Sequence, residues 1–424
     1  MSVFEDMESE VRSYCRAWPV VFDRAVGSWI HDEEGNSYLD FFAGAGALNY
    51  GHNHPVLKAA LLEYLQRDGV SHTLDMYSVA KRDFLARFQE FVLAPRGLSY
   101  RVQFPGPAGA NAVEAALKLA RKATGRENVV SFTDAFHGVT LGALALAGDP
   151  GRRRSAGTAV GGQIVMPFDG YLDPPEAGLS WLEATFAERG TGFSRPAAVI
   201  LETVQADGGI RVARPEWLSA VAGLCRAYGV LLIVDDVQVG CGRTGAFFSF
   251  EEAGVVPDIV ALSKSISGYG LPLALTLIRP ELDVWAPGEH NGTFRGPNPA
   301  FVTASAALGL WTDGTLAEET AAKGVTVRAA LEELRAAAPQ VADMRGRGLI
   351  WGLELAEPWM AEDVCARAFA SGLLVETVGR KSEVVKISPP LTIEPAELDK
   401  GLGILADAVD ALPAERARTA GGPR

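Results

Sequence analysis

Between about residue 100 and residue 280, short apolar runs alternate with longer stretches of helical periodicity. The runs are Arg101–Phe104, Val129–Phe132, Gln163–Met166, Ala197–Leu201, Val230–Val234, Asp258–Leu262 and Leu273–Ile278. Between two of them, Val113, Ala116, Leu117 and Ala120 recur at the i, i+3, i+4, i+7 spacing of one helix face. Strands that are apolar on successive residues are buried on both faces, and helices between them supply the cover. The pattern therefore predicts an α/β fold with a large, mostly parallel seven-stranded sheet covered by helices. The stretch Arg152–Gly162 reads as a surface loop.

The ends of the chain follow a different rhythm. The first forty residues read as a helix and then a hairpin, with Trp29-Ile30-His31 and Tyr38-Leu39-Asp40-Phe41 flanking a turn at Asp32–Ser37. After residue 311 a long helix (Leu316–Ala338) precedes strand candidates at Leu349–Leu355, Leu373–Thr377 and Val384–Ile387, and a last helix starts near Pro395. The expected division is 1–60 as the N-terminal segment of a smaller α+β domain, 61–311 as the large domain, 312–412 as the C-terminal part of the small domain, and 413–424 as a disordered tail.

Composition narrows the class. A chain of 424 residues exceeds one hydrophobic core, and 48% hydrophobic with 21% charged residues is typical of a globular protein. The net charge of −13 argues against nucleic acid as a partner. Cys15, Cys225, Cys241 and Cys365 lie far apart without metal-ligand spacing. The acidic start lacks the features of a signal peptide, and no apolar run has bilayer-spanning length. The expectation is a cytoplasmic protein with reduced thiols and no membrane contact.

The chemistry concentrates between Val230 and Lys264. One apolar strand ends in Asp235-Asp236-Val237-Gln238, and the next ends in Ser263-Lys264-Ser265. Carboxyl ends of parallel strands line the crevice where ligands bind, so an acid and a lysine reach the same rim. A lysine directly after a buried strand is partly desolvated, which favours its neutral, nucleophilic form. His52, His54 and His137 read as packing or hydrogen-bonding residues.

The run Ile233-Val234-Asp235-Asp236-Val237-Gln238, the following Gly242-Arg243-Thr244-Gly245 and Ser263-Lys264-Ser265 resemble the class III aminotransferases of pyridoxal 5′-phosphate (PLP) fold type I. Within that class, four stretches resemble the diaminobutyrate–2-oxoglutarate transaminases of ectoine biosynthesis: Glu10–Cys15, Asp40–Gly51, Gly268–Pro272 and Gly288–Arg295. The resemblance implies that Lys264 binds the PLP aldehyde covalently and later moves the proton between the donor carbon and the cofactor. It implies Asp235 at the pyridine nitrogen, Gln238 at the ring oxygen, Phe136 on the ring face, and Gly109 with Ala110 at the phosphate, ahead of a helix starting near Asn111. Thr293 is expected to reach the phosphate of a neighbouring subunit, in a homodimer or a dimer of dimers with shared active sites.

Several positions depart from the family pattern. Where many members carry Gly-Glu before Gly-Gly, this chain has Ala206-Asp207, downstream of Glu202. In those members the second acid pairs with a switchable arginine; the corresponding residue here is Lys386, which cannot grip a carboxylate in a bidentate fashion. Glu202, Asp207 and Lys386 are therefore the candidate substrate residues. Ala110 replaces a threonine, which implies weaker retention of PLP. Val139 replaces the arginine of many ornithine- and GABA-type enzymes. The implied reaction is L-2,4-diaminobutyrate + 2-oxoglutarate = L-aspartate 4-semialdehyde + L-glutamate. The alternative is an aminomutase, or an ω-aminotransferase acting on another amine or diamino acid in natural-product formation. A PLP-fold regulator without catalysis is disfavoured by the retained Lys264.

Overall fold

A computed structural model describes residues 3–412. Its centre is a seven-stranded sheet in the order Arg101–Gln103, Leu275–Ile278, Ile259–Leu262, Leu231–Asp235, Ala198–Leu201, Val129–Phe132, Gln163–Met166. Leu275–Ile278 runs antiparallel to both of its neighbours, and the core pairings from Ile259–Leu262 to Gln163–Met166 are parallel. Successive residues of the central strands serve opposite faces, as the pleat requires. Ile200, Ile233 and Ile259 pack beneath helix Gly109–Thr124 through its Ala112, Val113, Ala116, Leu117 and Ala120. Leu232, Val234, Val260 and Leu262 face the other way, into a core shared with Trp217 and Val221 of helix Pro215–Tyr228. The predicted α/β class and the seven predicted strands agree with this arrangement, with ends shifted by a residue or two.

The C-terminal part forms a four-stranded antiparallel sheet in the order Val341–Arg347, Ile350–Leu355, Val384–Ile387, Glu376–Val378. A second small sheet joins the two ends of the chain: Phe22–Val26, Trp29–Asp32 and Ser37–Asp40 pair in sequence, and Leu373–Leu374 adds in parallel to the last of them. No helix among the described residues is long and apolar enough to cross a membrane.

Several local expectations need correction. The predicted loop Arg152–Gly162 begins inside a helix, Pro150–Arg154. Asp149 caps it by accepting from the Gly151 N–H at 2.6 Å, proline occupies the first turn, and three arginines meet the negative end of the helix dipole. The single strand predicted at Leu373–Thr377 is two strands in different sheets. The N-terminal helix is two short ones, Val3–Met7 and Tyr14–Ala17. Phe22–Val26 and Val341–Arg347 went unpredicted because each carries charged residues and buries little of itself, and so did the two-residue strands Val204–Gln205 and Arg211–Val212, too short to show a pattern. The predicted tail at 413–424 lies outside the described residues.

One side chain ties these parts together. Arg243 follows the strand that ends at Asp235 and is fully buried. Its guanidinium donates to Leu349 O at 3.0 Å, to Pro389 O, and to Asn49 Oδ1 at 2.6 Å. It thus links the large sheet to segments from both ends of the chain. Burial pushes its pKa down to about 9, with the Asp40 carboxylate acting in the opposite sense. Replacing Arg243 by alanine strands three buried acceptors. We expect Arg243→Ala to lower stability by about 3 kcal/mol or more, read as the midpoint of urea unfolding. Arg243→Lys should recover little of it, since one ammonium cannot span the same fork.

Candidate active site

The central strands deliver their last residues to one rim. Asp235 closes strand Leu231–Asp235, in register with Ala261 of the neighbouring strand, and Lys264 follows that neighbour by two residues. Lys264 has φ +50, a left-handed conformation that a non-glycine residue adopts only when its surroundings hold it there. Its Nζ donates to Gln238 Oε1 at 2.6 Å. Both residues line a cavity of about 150 Å³ together with Asp235, Glu202, Phe136, His137, Gly109 and Ala110, and with Val204, Val237 and Val239 as apolar walls.

Each wall is braced. Asp235 Oδ2 lies 2.7 Å from His137 Nδ1, and its Oδ1 accepts from the Val237 N–H at 3.2 Å. His137 is buried, so this contact fixes where the carboxylate points. The role of His137 therefore agrees with a hydrogen-bonding histidine. Phe136 donates its backbone N–H to Glu202 Oε2 at 3.1 Å, and the Arg152 guanidinium lies 4.5 Å from the centre of its ring. Burial raises the pKa of Glu202 well above the usual carboxylate range, and the neighbouring Asp235 charge pushes the same way, while the Phe136 N–H opposes them.

The helix behind the cavity starts at Gly109, two residues earlier than predicted, so Gly109 and Ala110 form its first turn. Its N-cap is Ala108, which has no side-chain oxygen to satisfy the first amides. The Asn111 N–H turns back to Ala108 O at 2.9 Å. The first-turn N–H groups of Gly109 and Ala110 thus face the cavity with the positive end of the helix dipole behind them. Gly138, at φ +124, lies across from Ala110. A side chain there would bring its Cβ to 2.7 Å from the Ala110 Cβ.

Beside this cavity lies a charged group whose membership was only partly anticipated. Lys386 is 1% exposed, and its Nζ donates to Glu376 Oε1 at 2.6 Å, while Asp207 Oδ1 stands 3.9 Å away. The expected pairing of Lys386 with the Asp207 position is therefore secondary. Glu376 was missed because its partner is set by strand register, Glu376 opposite Lys386, and no local motif announces that. These charges reach the reactive lysine. Burial pushes the Lys264 ammonium down to about 8; Asp207, Glu376 and Asp235 oppose that shift, and Lys386 adds to it. Tyr14 shares the neighbourhood: its hydroxyl is pushed up to about 12, by burial first and then by Glu376 and Asp207.

Thr293 does not line this cavity. It is exposed, and its carbonyl accepts from His72 Nε2 at 2.7 Å. A larger cavity, about 720 Å³, holds many charged residues, but they pair among themselves: Arg380 with Asp134 at 2.6 Å and Arg345 with Glu354 at 2.5 Å. The lysine in its lining, Lys381, is exposed.

The small cavity fits PLP on its own chemistry. It offers an amine for an aldehyde, a carboxylate for a ring nitrogen, a helix N-terminus for a phosphate and the flat face of Phe136. Gln238 Nε2 is buried with no partner, an N–H donor matched to a ring oxygen. The lowered pKa of Lys264 gives a measurable consequence. Only the neutral amine attacks an aldehyde, so capture of PLP by the cofactor-free protein should speed up about tenfold per pH unit below 8 and level off above it. A rate still rising beyond about pH 10, the range of an ordinary lysine, would contradict the burial of this amine. The growth of the bound-cofactor absorbance gives the rate.

A family model, "Aminotransferase class-III", matches residues 12–409. A diaminobutyrate–2-oxoglutarate transaminase from Streptomyces anulatus is 60% identical over 410 residues, covering 96% of this chain and 97% of that protein. One of the same name from Halalkalibacterium halodurans is 51% identical over 413 residues, covering 97% of each chain. Among solved structures, an ornithine aminotransferase from Toxoplasma gondii, described with partial occupancy of PLP at its active site, superposes with a TM-score of 0.83 at 27% identity. The match covers 96% of this chain and 92% of that one. With nearly its whole length matched and the strand-end acid and lysine converging on one cavity, this chain belongs to the class-III aminotransferases.

Proposed function

We propose that this aminotransferase uses PLP to move the terminal amine of L-2,4-diaminobutyrate to 2-oxoglutarate, giving L-aspartate 4-semialdehyde and L-glutamate. One observation carries the chemistry: the desolvated Lys264 amine and the braced Asp235 carboxylate line the same cavity. The donor follows from relatives of that name at 60% identity over nearly the whole chain. When bound, PLP supplies the electron sink that lets the amine-bearing carbon of the donor release a proton.

The protein does the rest. Gly109 and Ala110 offer first-turn N–H groups to the phosphate. Asp235, oriented by His137, holds a proton on the ring nitrogen. Gln238 Nε2 donates to the ring oxygen, and Phe136 covers a ring face. Lys264 Nζ would hold the cofactor's aldehyde at rest; displaced by the donor amine, it would take the proton from the donor carbon as a base and, as an acid, deliver it to the carbon that had been the aldehyde. The valine walls keep bulk water from that transfer. With a keto acid the same proton transfers at Lys264 would run in reverse order, so the two substrates would react in turn.

Met76, Tyr77, Val79 and Phe294 are exposed, and apolar surface of this kind suits a second copy of the chain, with Thr293 completing the neighbour's phosphate site. The pairing of Ser37–Asp40 with Leu373–Leu374 supports grouping 1–60 with 312–412 as one small domain around the large one. A place in ectoine formation rests on the resemblance noted above, and location in the cytoplasm stays the expectation drawn from the sequence.

The test is a donor panel of diaminobutyrate, ornithine, 4-aminobutyrate, diaminopropionate and β-alanine with 2-oxoglutarate, scored by glutamate formed. Diaminobutyrate should give the most. No glutamate from it would refute the donor, and turnover without any keto acid would point to an aminomutase instead. Lys264→Ala should lose at least about 10³-fold in rate while keeping its fold.

A further inference from the structure

Diaminobutyrate and 4-aminobutyrate differ by one group, the α-ammonium that does not react. A transaminase that prefers the first must recognise that ammonium, and the one carboxyl of the main cavity outside the cofactor's set, Glu202, already accepts from the Phe136 N–H. The charged cluster beside the cavity does. Glu376 and Lys386 are directly opposed on antiparallel strands, so their side chains share a face. Lys386 is buried and must be compensated, which Glu376 does at 2.6 Å. Asp207 is then left in a looser contact at 3.9 Å, with its side chain 26% exposed against 13% for Glu376. Two carboxylates thus surround one fixed ammonium, at a place where both act on the Lys264 amine. A second ammonium brought by the donor balances the group; a donor without it leaves a carboxylate short of a partner.

We propose that Glu376, together with Asp207, forms the subsite for the non-reacting α-ammonium of the diamino donor, with Lys386 holding the two carboxylates in place. Glu376 is thereby a specificity-determining residue and takes no part in the proton transfer at Lys264. The inference rests on the diaminobutyrate reading above and assigns the recognition of that donor to a residue of the small antiparallel sheet.

The experiment compares kcat/KM for diaminobutyrate and for 4-aminobutyrate in the PLP-loaded wild type, Glu376→Gln and Glu376→Asp. Glutamine keeps the shape and removes the charge. We expect Glu376→Gln to lower the diaminobutyrate-to-4-aminobutyrate ratio about 10- to 100-fold, mainly through KM for diaminobutyrate, as loss of a charge-assisted hydrogen bond predicts. Glu376→Asp, which keeps the charge, should restore most of the ratio. Equal losses on both donors in Glu376→Gln, or an unchanged ratio, overturn the subsite while leaving the diaminobutyrate reading intact. A wild type that does not use diaminobutyrate overturns both.

Discussion

Everything in this molecule depends on keeping one lysine amine out of water at the end of a buried strand. Strand Ile259–Leu262 has all four residues buried, and the turn that follows forces Lys264 into a left-handed conformation, aiming its side chain back over the rim. Such a backbone costs on the order of 1–3 kcal/mol and persists because packing on both sides of the sheet leaves it no alternative. Burial is also what moves the amine toward its neutral, nucleophilic form. The sheet therefore supplies position and reactivity by one means.

The same economy shapes the rest of the site. Asp235 is set by its place at the end of a parallel strand and steered by a buried histidine. The helix that opens at Gly109 uses the opposite device, an N-cap residue, Ala108, with no side-chain oxygen to satisfy the first amides. The small antiparallel sheet contributes a buried ion pair within electrostatic reach of the reactive amine, so two separately built sheets meet at one place. Arg243 braces their relative position through three acceptors from three parts of the chain.

Much of this was legible from residues in order. The central strands announced themselves because burial on both faces leaves no room for polar residues, and strand-end Asp235 and Lys264 followed from topology. Gln238, Phe136, Gly109 and Ala110 came with the family resemblance, and all four line the cavity with them. What stayed hidden depended on long-range register. Glu376 is ten residues from Lys386 and is its partner only because the two strands pair antiparallel. Strand Val341–Arg347 was invisible because an edge strand with one buried residue carries no apolar pattern. The helix at Pro150–Arg154 hid in a run of arginines, and Arg152 proved to rest on the Phe136 ring. Thr293 stands apart from this chain's own cavity.

The central claim is that PLP is carried on the amine at position 264. Borohydride reduction of the PLP-loaded protein, followed by digestion and mass spectrometry of the peptides, tests it directly. The account predicts one reduced pyridoxyl group per chain, on Lys264. A label on any other lysine, Lys386 or Lys81 included, or no label on a protein that still forms glutamate, would contradict it.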